Sequence, residues 1–248
     1  MTDYQEFENR IDLSGFAEKI NEVRNEIKKI IVGQEKVTDL LLIALLSDGH
    51  VLIEGVPGVA KTLMANLLAK TINTSFQRIQ FTPDLMPSDI TGTSIYNEHK
   101  AEFEFKKGPV FANIILIDEI NRSPAKTQSA LFEVMEEQKI SIEGKTFEMS
   151  YPFFVIGTQN PIEHEGTYRL AEAQKDRFIF RIKIEFPSLE NETNILRTFN
   201  GEDYKEKLQQ IQPVLSTGDL RYIRQQVNDI HVEDQLFGYI SQIIHETR

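Results

Sequence analysis

Apolar residues recur at Phe16, Ile20, Val23, Ile27 and Ile30 with charged residues between them. This three- and four-residue spacing predicts an amphipathic helix, which Gly33 ends. A second apolar helix is predicted over 35–46, closed by Asp48-Gly49. Val51-Leu52-Ile53-Glu54 then gathers strand formers without polar alternation, the pattern of a strand buried on both faces. A loop from Gly55 to Ala60 leads into a helix running from Lys61 to about Ile72. Further strands are predicted at Phe76–Phe81, Ile114–Asp118, Phe153–Thr158 and Phe178–Ile184. Strands alternating with helices imply an α/β fold with a parallel sheet covered on both faces. Ser123-Pro124 is expected to open another helix, serine capping it and proline in the first turn. Ile140 and Ile142 on one side of Glu143-Gly144, and Phe147 and Met149 on the other, predict a β-hairpin. Past Pro187 the pattern turns helical and ends in an apolar stripe from Val227 through Ile230, Leu236, Ile240 and Ile243 to Ile244.

A chain of 248 residues suits one α/β domain with a small appendage. The absence of cysteine rules out a disulfide scaffold, a thiolate zinc site and a cysteine nucleophile. His50, His99, His164, His231 and His245 lack metal-site spacing and read as surface or loop residues. A net charge of −11 repels a phosphate backbone, which disfavours unaided nucleic-acid binding. Lys100, Lys106 and Lys107 alternate with Glu102 and Glu104 and read as a solvated face. Residues 1–14 are polar and expected to be mobile, without the charged start and apolar core of a signal peptide. The longest apolar run, Leu40 to Leu46, is too short to cross a bilayer. No membrane association and a cytoplasmic location are the expectations.

Residues 55–62 read Gly-Val-Pro-Gly-Val-Ala-Lys-Thr, against the phosphate-loop pattern G-x-x-x-x-G-K-[ST]. A strand precedes the segment and a helix follows it, as that motif requires. Gly58 lets the backbone fold so that its N–H groups face phosphate oxygens, and the helix beginning at Lys61 aims its positive end at the same place. Lys61 would reach the β- and γ-phosphates of ATP, and Thr62 would offer its hydroxyl to Mg²⁺. Ala60 replaces the last glycine, which is harmless where that residue has negative or helical φ. An ordinary glycine turn beside an incidental Lys-Thr is the alternative.

Ile114-Ile115-Leu116-Ile117 forms a buried strand from whose carboxyl end Asp118 and Glu119 emerge. Ligands of open α/β sheets lie beyond that edge. Asp118 suits the hydration shell of Mg²⁺ and Glu119 suits orienting the attacking water; a solvated acidic pair at a strand end is the alternative. Asn160 follows the next apolar strand, where its amide would sense the γ-phosphate or simply form an Asn-Pro turn. Arg177 precedes the last strand, and its charge suits a transition-state phosphate or a surface ion pair with Asp176 or a neighbour.

These motifs resemble MoxR-type AAA+ ATPases, of the helix-2-insert branch. The resemblance rests on the 55–62 loop, on 81–92 (Phe-Thr-Pro-Asp-Leu-Met-Pro-Ser-Asp-Ile-Thr-Gly), on Gly108 to Asn113, on Asp118 to Arg122, on Gly157 to Pro161 and on Glu172 to Phe178, in that order. It implies an AAA+ core over 15–187 with a five-stranded parallel sheet, followed over 188–248 by the start of an α-helical lid. It assigns cofactor contacts to Val32 and Gly33 at the adenine and to Gly55, Val56, Pro57, Gly58, Val59, Ala60, Lys61, Thr62 and Leu63 around the phosphates. Thr62 and Asp118 would serve the metal. Asn160 matches the first sensor, and Arg177 the arginine finger that acts on a neighbouring subunit. The 84–108 insertion and the 138–150 hairpin resemble pore-facing inserts. A hexameric ring and protein clients, some with von Willebrand factor A domains, are further implications. The family carries a lid arginine beyond the equivalent of Arg248, which this sequence does not reach, and often has proline where Arg169 stands. A metal-chelatase motor subunit, a nucleic-acid motor and a nucleotide-binding switch without turnover are the rival readings.

Overall fold

A computed structural model of the chain describes residues 14–160, 168–200 and 204–247. The expectations for residues 1–13, His164, Pro161 and Arg248 lie outside the described residues.

Helix α1, Ser14–Lys28, and helix α2, Glu35–Leu46, come first. Strand β1 is His50–Gly55, and α3 is Lys61–Thr71. Strand β2 spans Phe76–Gln80. The 84–108 insertion folds as a short helix α4, Pro87–Thr91, and an antiparallel hairpin of β3, Gly92–Asn97, and β4, Glu102–Lys107. Strand β5, Ile114–Asp118, leads to α5, Ala125–Glu137. A second hairpin joins β6, Lys139–Ile142, to β7, Lys145–Glu148. Then follow β8, Phe154–Gln159, the turn α6, Glu172–Lys175, and β9, Phe178–Ile184. The C-terminal portion holds α7, Leu189–Thr198, α8, Tyr204–Gln210, α9, Thr217–Asn228, and α10, Asp234–Glu246.

The main sheet has five strands in the order β2-β5-β8-β1-β9, every pair parallel. Strands β1 and β5 are aliphatic throughout their centres because both faces are covered. On one face Val51, Ile53, Ile114 and Leu116 pack with Val23, Leu41 and Leu67 from the first three helices. On the other, Leu52, Ile115 and Ile117 pack with Leu131 and Phe132 of α5. Each of the five strands expected from the sequence is present. In the second hairpin Glu143 and Gly144 both have positive φ, 53° and 77°. A two-residue turn of that hand matches the strand twist.

Two expectations need correction. His50 is not a surface residue: it is buried at the start of β1. Its Nδ1 accepts the Val155 N–H at 3.2 Å and its Nε2 lies 3.4 Å from the Met135 carbonyl, so one imidazole ties β1 to β8 and to the end of α5. Ser123 does not cap α5. Pro124 is extended (φ −58°, ψ 152°) and takes the cap position itself, leaving Ser123 one residue early with its hydroxyl buried and unpartnered.

The helices after β9 differ in their attachment. Leu220 and Ile223 of α9 are buried in the core cluster with α1 and α2. Arg224 secures this packing. Its guanidinium donates to the Leu45 carbonyl at 3.0 Å, pairs with Asp48 and stacks 5.0 Å from the Tyr151 ring centre. Helix α10 buries none of its side chains, and Leu236, Phe237, Tyr239 and Ile240 are exposed.

Candidate nucleotide site

The parallel sheet brings the ends of β1, β5 and β8 to one edge. There a cavity of about 590 Å³ opens between the loop after β1 and the acids after β5. Pro57, Gly58, Ala60, Lys61, Thr62 and Leu63 form one wall, and Asp118, Glu119 and Asn160 face them. The lysine-bearing loop and the acidic pair therefore share a single cavity.

The loop's backbone explains its shape. Gly58 has φ +88°, a region open to glycine, with nothing within 4 Å of the place a Cβ would take. Ala60 also lies in the left-handed region (φ 59°, ψ 23°), not at the negative φ expected of it. This is strain of about 1–2 kcal/mol for an L-residue. It turns the chain sharply into α3, whose first intrahelical bond is Met64 N–H to the Ala60 carbonyl at 3.0 Å. The amides of the preceding turn have no intrahelical acceptor, and with the helix dipole they make an anion site. The Lys61 ammonium reaches back across the loop to the Gly55 carbonyl, 2.7 Å away.

Both acids are held by neutral and cationic partners. The Asp118 carboxylate accepts from the Thr158 hydroxyl at 2.6 Å and from Arg78 at 2.6 and 3.2 Å. Burial works to raise its pKa, but the bonds from Thr158 and Arg78 and the charges of Arg78 and Lys61 outweigh it, and the carboxyl is held below its ordinary value. Glu119 is left-handed as well (φ 57°, ψ 51°), a conformation that recurs at functional sites in non-glycine residues. Its N–H donates to Thr158 Oγ1 at 3.0 Å, and its carboxylate accepts from Gln80 at 2.9 Å and Arg122 at 2.8 Å. Thr158, fully buried, therefore joins the two acids through one hydroxyl.

Other sequence candidates take different places. Gly55, Val56 and Val59 do not line the cavity: Val59 is buried in the core, Val56 packs against it, and Gly55 ends β1 close against Ile184. Val32 and Gly33 do not line it either. Gly33 (φ +74°) lies against Asn191 of α7, whose amide would be 2.2 Å from an added Cβ. Arg177 is ion-paired with Glu136 of α5 and lines a separate groove with α4 and β6. Arg169 is exposed, and nothing in the structure explains it. Arg78, Gln80, Asn66 and Thr158 belong to the site without a motif that marks them for it in the sequence. For the first two a signal exists: they stand two apart in Phe76–Phe81, hence on one face of a strand, and the register sets Gln80 beside Asp118.

The donor set suits a magnesium ion. Among the described residues no cluster of three His, Cys, Asp or Glu side chains is arranged to hold a metal. A hydroxyl at Thr62 and one carboxylate at Asp118, both hard oxygen donors, are what Mg²⁺ uses when phosphates and water complete its shell.

A parallel sheet with this loop after one strand and an acidic pair after another defines a P-loop nucleoside-triphosphate-binding protein. A family model described as "ATPase family associated with various cellular activities (AAA)" matches residues 50–180. YeaC of Bacillus subtilis, an uncharacterized protein, is 46% identical over 222 residues, which are 90% of this chain and 68% of YeaC. The chaperone MoxR1 of Mycobacterium tuberculosis is 50% identical over 223 residues, 90% of this chain and 58% of MoxR1. The crystal structure of a provisionally assigned ATPase from Cytophaga hutchinsonii superposes with a TM-score of 0.81 at 46% identity, covering 96% of this chain and 74% of that one. The chain belongs to the MoxR-type AAA+ ATPases. It spans about three-fifths to three-quarters of the length of these relatives.

Proposed function

We propose that this chain binds Mg²⁺·ATP in the cavity after β1, hydrolyses it, and uses the cycle within a homo-oligomeric ring to remodel or mature partner proteins. The observation that carries the proposal is the meeting of Lys61, Thr62, Asp118, Glu119 and Asn160 around one cavity. The amides opening α3 and the Lys61 ammonium take the β- and γ-phosphates. Thr62 and Asp118 hold the magnesium ion, which when bound neutralises phosphate charge. Glu119 orients the attacking water by accepting its hydrogen bond, and Asn160 holds the γ-phosphate side of the same geometry.

Arg177 does not line its own subunit's cavity, which fits the role at a neighbour's γ-phosphate that the family resemblance implies. A ring, hexameric by the same resemblance, would supply that neighbour. Val32 and Gly33 stand outside this cavity, and only the family resemblance supports them at the adenine. The clients are proteins, in keeping with the word chaperone in the name of the M. tuberculosis relative; proteins with von Willebrand factor A domains come from the family resemblance alone. A net charge of −11 weighs against a nucleic-acid track.

Phosphate release from ATP tests the enzymatic half. Turnover should require Mg²⁺, vanish in Lys61→Ala with loss of nucleotide binding, and vanish in Glu119→Gln with binding kept. Turnover that survives Lys61→Ala would place the chemistry elsewhere. Affinity capture with the Glu119→Gln protein tests the other half: ATP-dependent recovery of defined proteins supports remodelling, and recovery independent of ATP contradicts it.

A further inference from the structure

Asp118, the carboxylate assigned to the metal, is held by a cation of the protein's own. Arg78 reaches it from the neighbouring strand with Nη2 at 2.6 Å and Nε at 3.2 Å. The register dictates this meeting, because Arg78 and Gln80 share a face of β2, and Gln80 pairs with Asp118 across the β2–β5 ladder. The same Nη2 also donates to Gln80 Oε1 at 2.9 Å, and Gln80 Nε2 donates to Glu119 at 2.9 Å. One hydrogen-bonded chain thus runs from Asp118 through Arg78 and Gln80 to Glu119. Lys61 is the other cation whose field lowers the Asp118 carboxyl. Arg78 also lines the nucleotide cavity, so its guanidinium has space to leave Asp118 without unfolding anything.

We infer that Arg78 is a positioning residue that serves as the built-in counter-ion of Asp118, competing with the divalent cation for that carboxylate and thereby setting the metal affinity of the site. The inference rests on the Mg²⁺·ATP reading of the same cavity. In the metal-free state the pair cancels a negative charge that would otherwise face the incoming phosphates. When the carboxylate is given over to a cation, the guanidinium is released into the cavity, on the side where phosphate oxygens lie.

The test compares wild type, Arg78→Ala and Arg78→Gln, with Mn²⁺ as the probe. Mn²⁺ binding to the ADP complex is followed by electron paramagnetic resonance, and a fluorescent ADP analogue reports nucleotide affinity with Mg²⁺ and with EDTA. Removing the half-exposed Arg78 side of the pair predicts Mn²⁺ binding tighter by up to roughly fivefold. It also predicts weaker metal-free ADP binding by a similar factor, because Asp118 is left uncompensated. In the Asp118→Asn background the Arg78 change should no longer alter Mn²⁺ affinity. Unchanged or weaker Mn²⁺ binding in both Arg78 variants, with nucleotide still bound, overturns the inference. Failure of wild type to bind the ADP analogue under either condition overturns the underlying nucleotide reading instead.

Discussion

Replacing Thr158 by valine removes one hydroxyl and keeps nearly the same volume. The oxygen is fully buried, donates to Asp118 at 2.6 Å and accepts the Glu119 N–H at 3.0 Å. A hydrogen bond to a charged group contributes about 1.5–3 kcal/mol, and a buried N–H left without a partner costs about 1–3 kcal/mol. The two effects share one atom and overlap, so a loss of roughly 2–4 kcal/mol is expected. For a chain of this size that corresponds to a fall in Tm of about 5–15 °C. Thr158→Ser restores the hydroxyl and should recover most of the stability. The functional effect should exceed the stability effect, because the same bond sets the backbone of Glu119 in its left-handed conformation. ATP turnover is expected to fall at least tenfold in Thr158→Val at a temperature where circular dichroism shows it folded, while nucleotide binding through Lys61 persists. A Thr158→Val protein that melts with wild type and turns over normally would refute the role given to this hydroxyl.

Three other perturbations probe separate parts of the account. Burial holds the His50 imidazole below its ordinary value of 6.5. The unfolded chain therefore takes up the proton first, so stability is full above about 6.5 and declines as pH falls below it. Urea midpoints at pH 7.5 and 5.5 should show that decline, and a smaller one in His50→Asn. A Cβ on Gly108 would stand 2.2 Å from the Ile90 carbonyl oxygen and 2.5 Å from Gly92 N. Gly108→Ala should raise hydrogen exchange across the β3–β4 hairpin without weakening nucleotide binding. The Arg224 side chain, 11% exposed, binds the open end of α2. Arg224→Ala should lower stability by about 2–3 kcal/mol, read as a lower melting temperature and faster proteolysis beyond α8.

Much of this fold is legible in the order of its residues because the strongest signals are local. Val51–Glu54 and Ile114–Ile117 announce doubly covered strands, and Glu143-Gly144 announces a turn of the right hand. Lys61, Thr62, Asp118 and Glu119 are recognisable because strand-end position and residue type coincide. What escaped depends on partners far away in the chain. Arg78 and Gln80 sit in a segment readable only as a strand; that they face Asp118 and Glu119 depends on the pairing of β2 with β5. His50 becomes a core residue through Val155 and Met135, about a hundred residues away. Ala60 adopts positive φ because the loop and α3 hold it there, which overrides the preference of an isolated alanine. Ser123 shows how a cap assignment slips by one residue when proline takes the extended position.

A crystal structure with Mg²⁺ and a non-hydrolysable ATP analogue would show directly where the nucleotide sits. The β- and γ-phosphates are expected beneath the amides that open α3, with Lys61 moved from the Gly55 carbonyl onto them and the cation between Thr62 and Asp118. Phosphates bound away from the amides that open α3, or a cation seated away from Asp118, would contradict it.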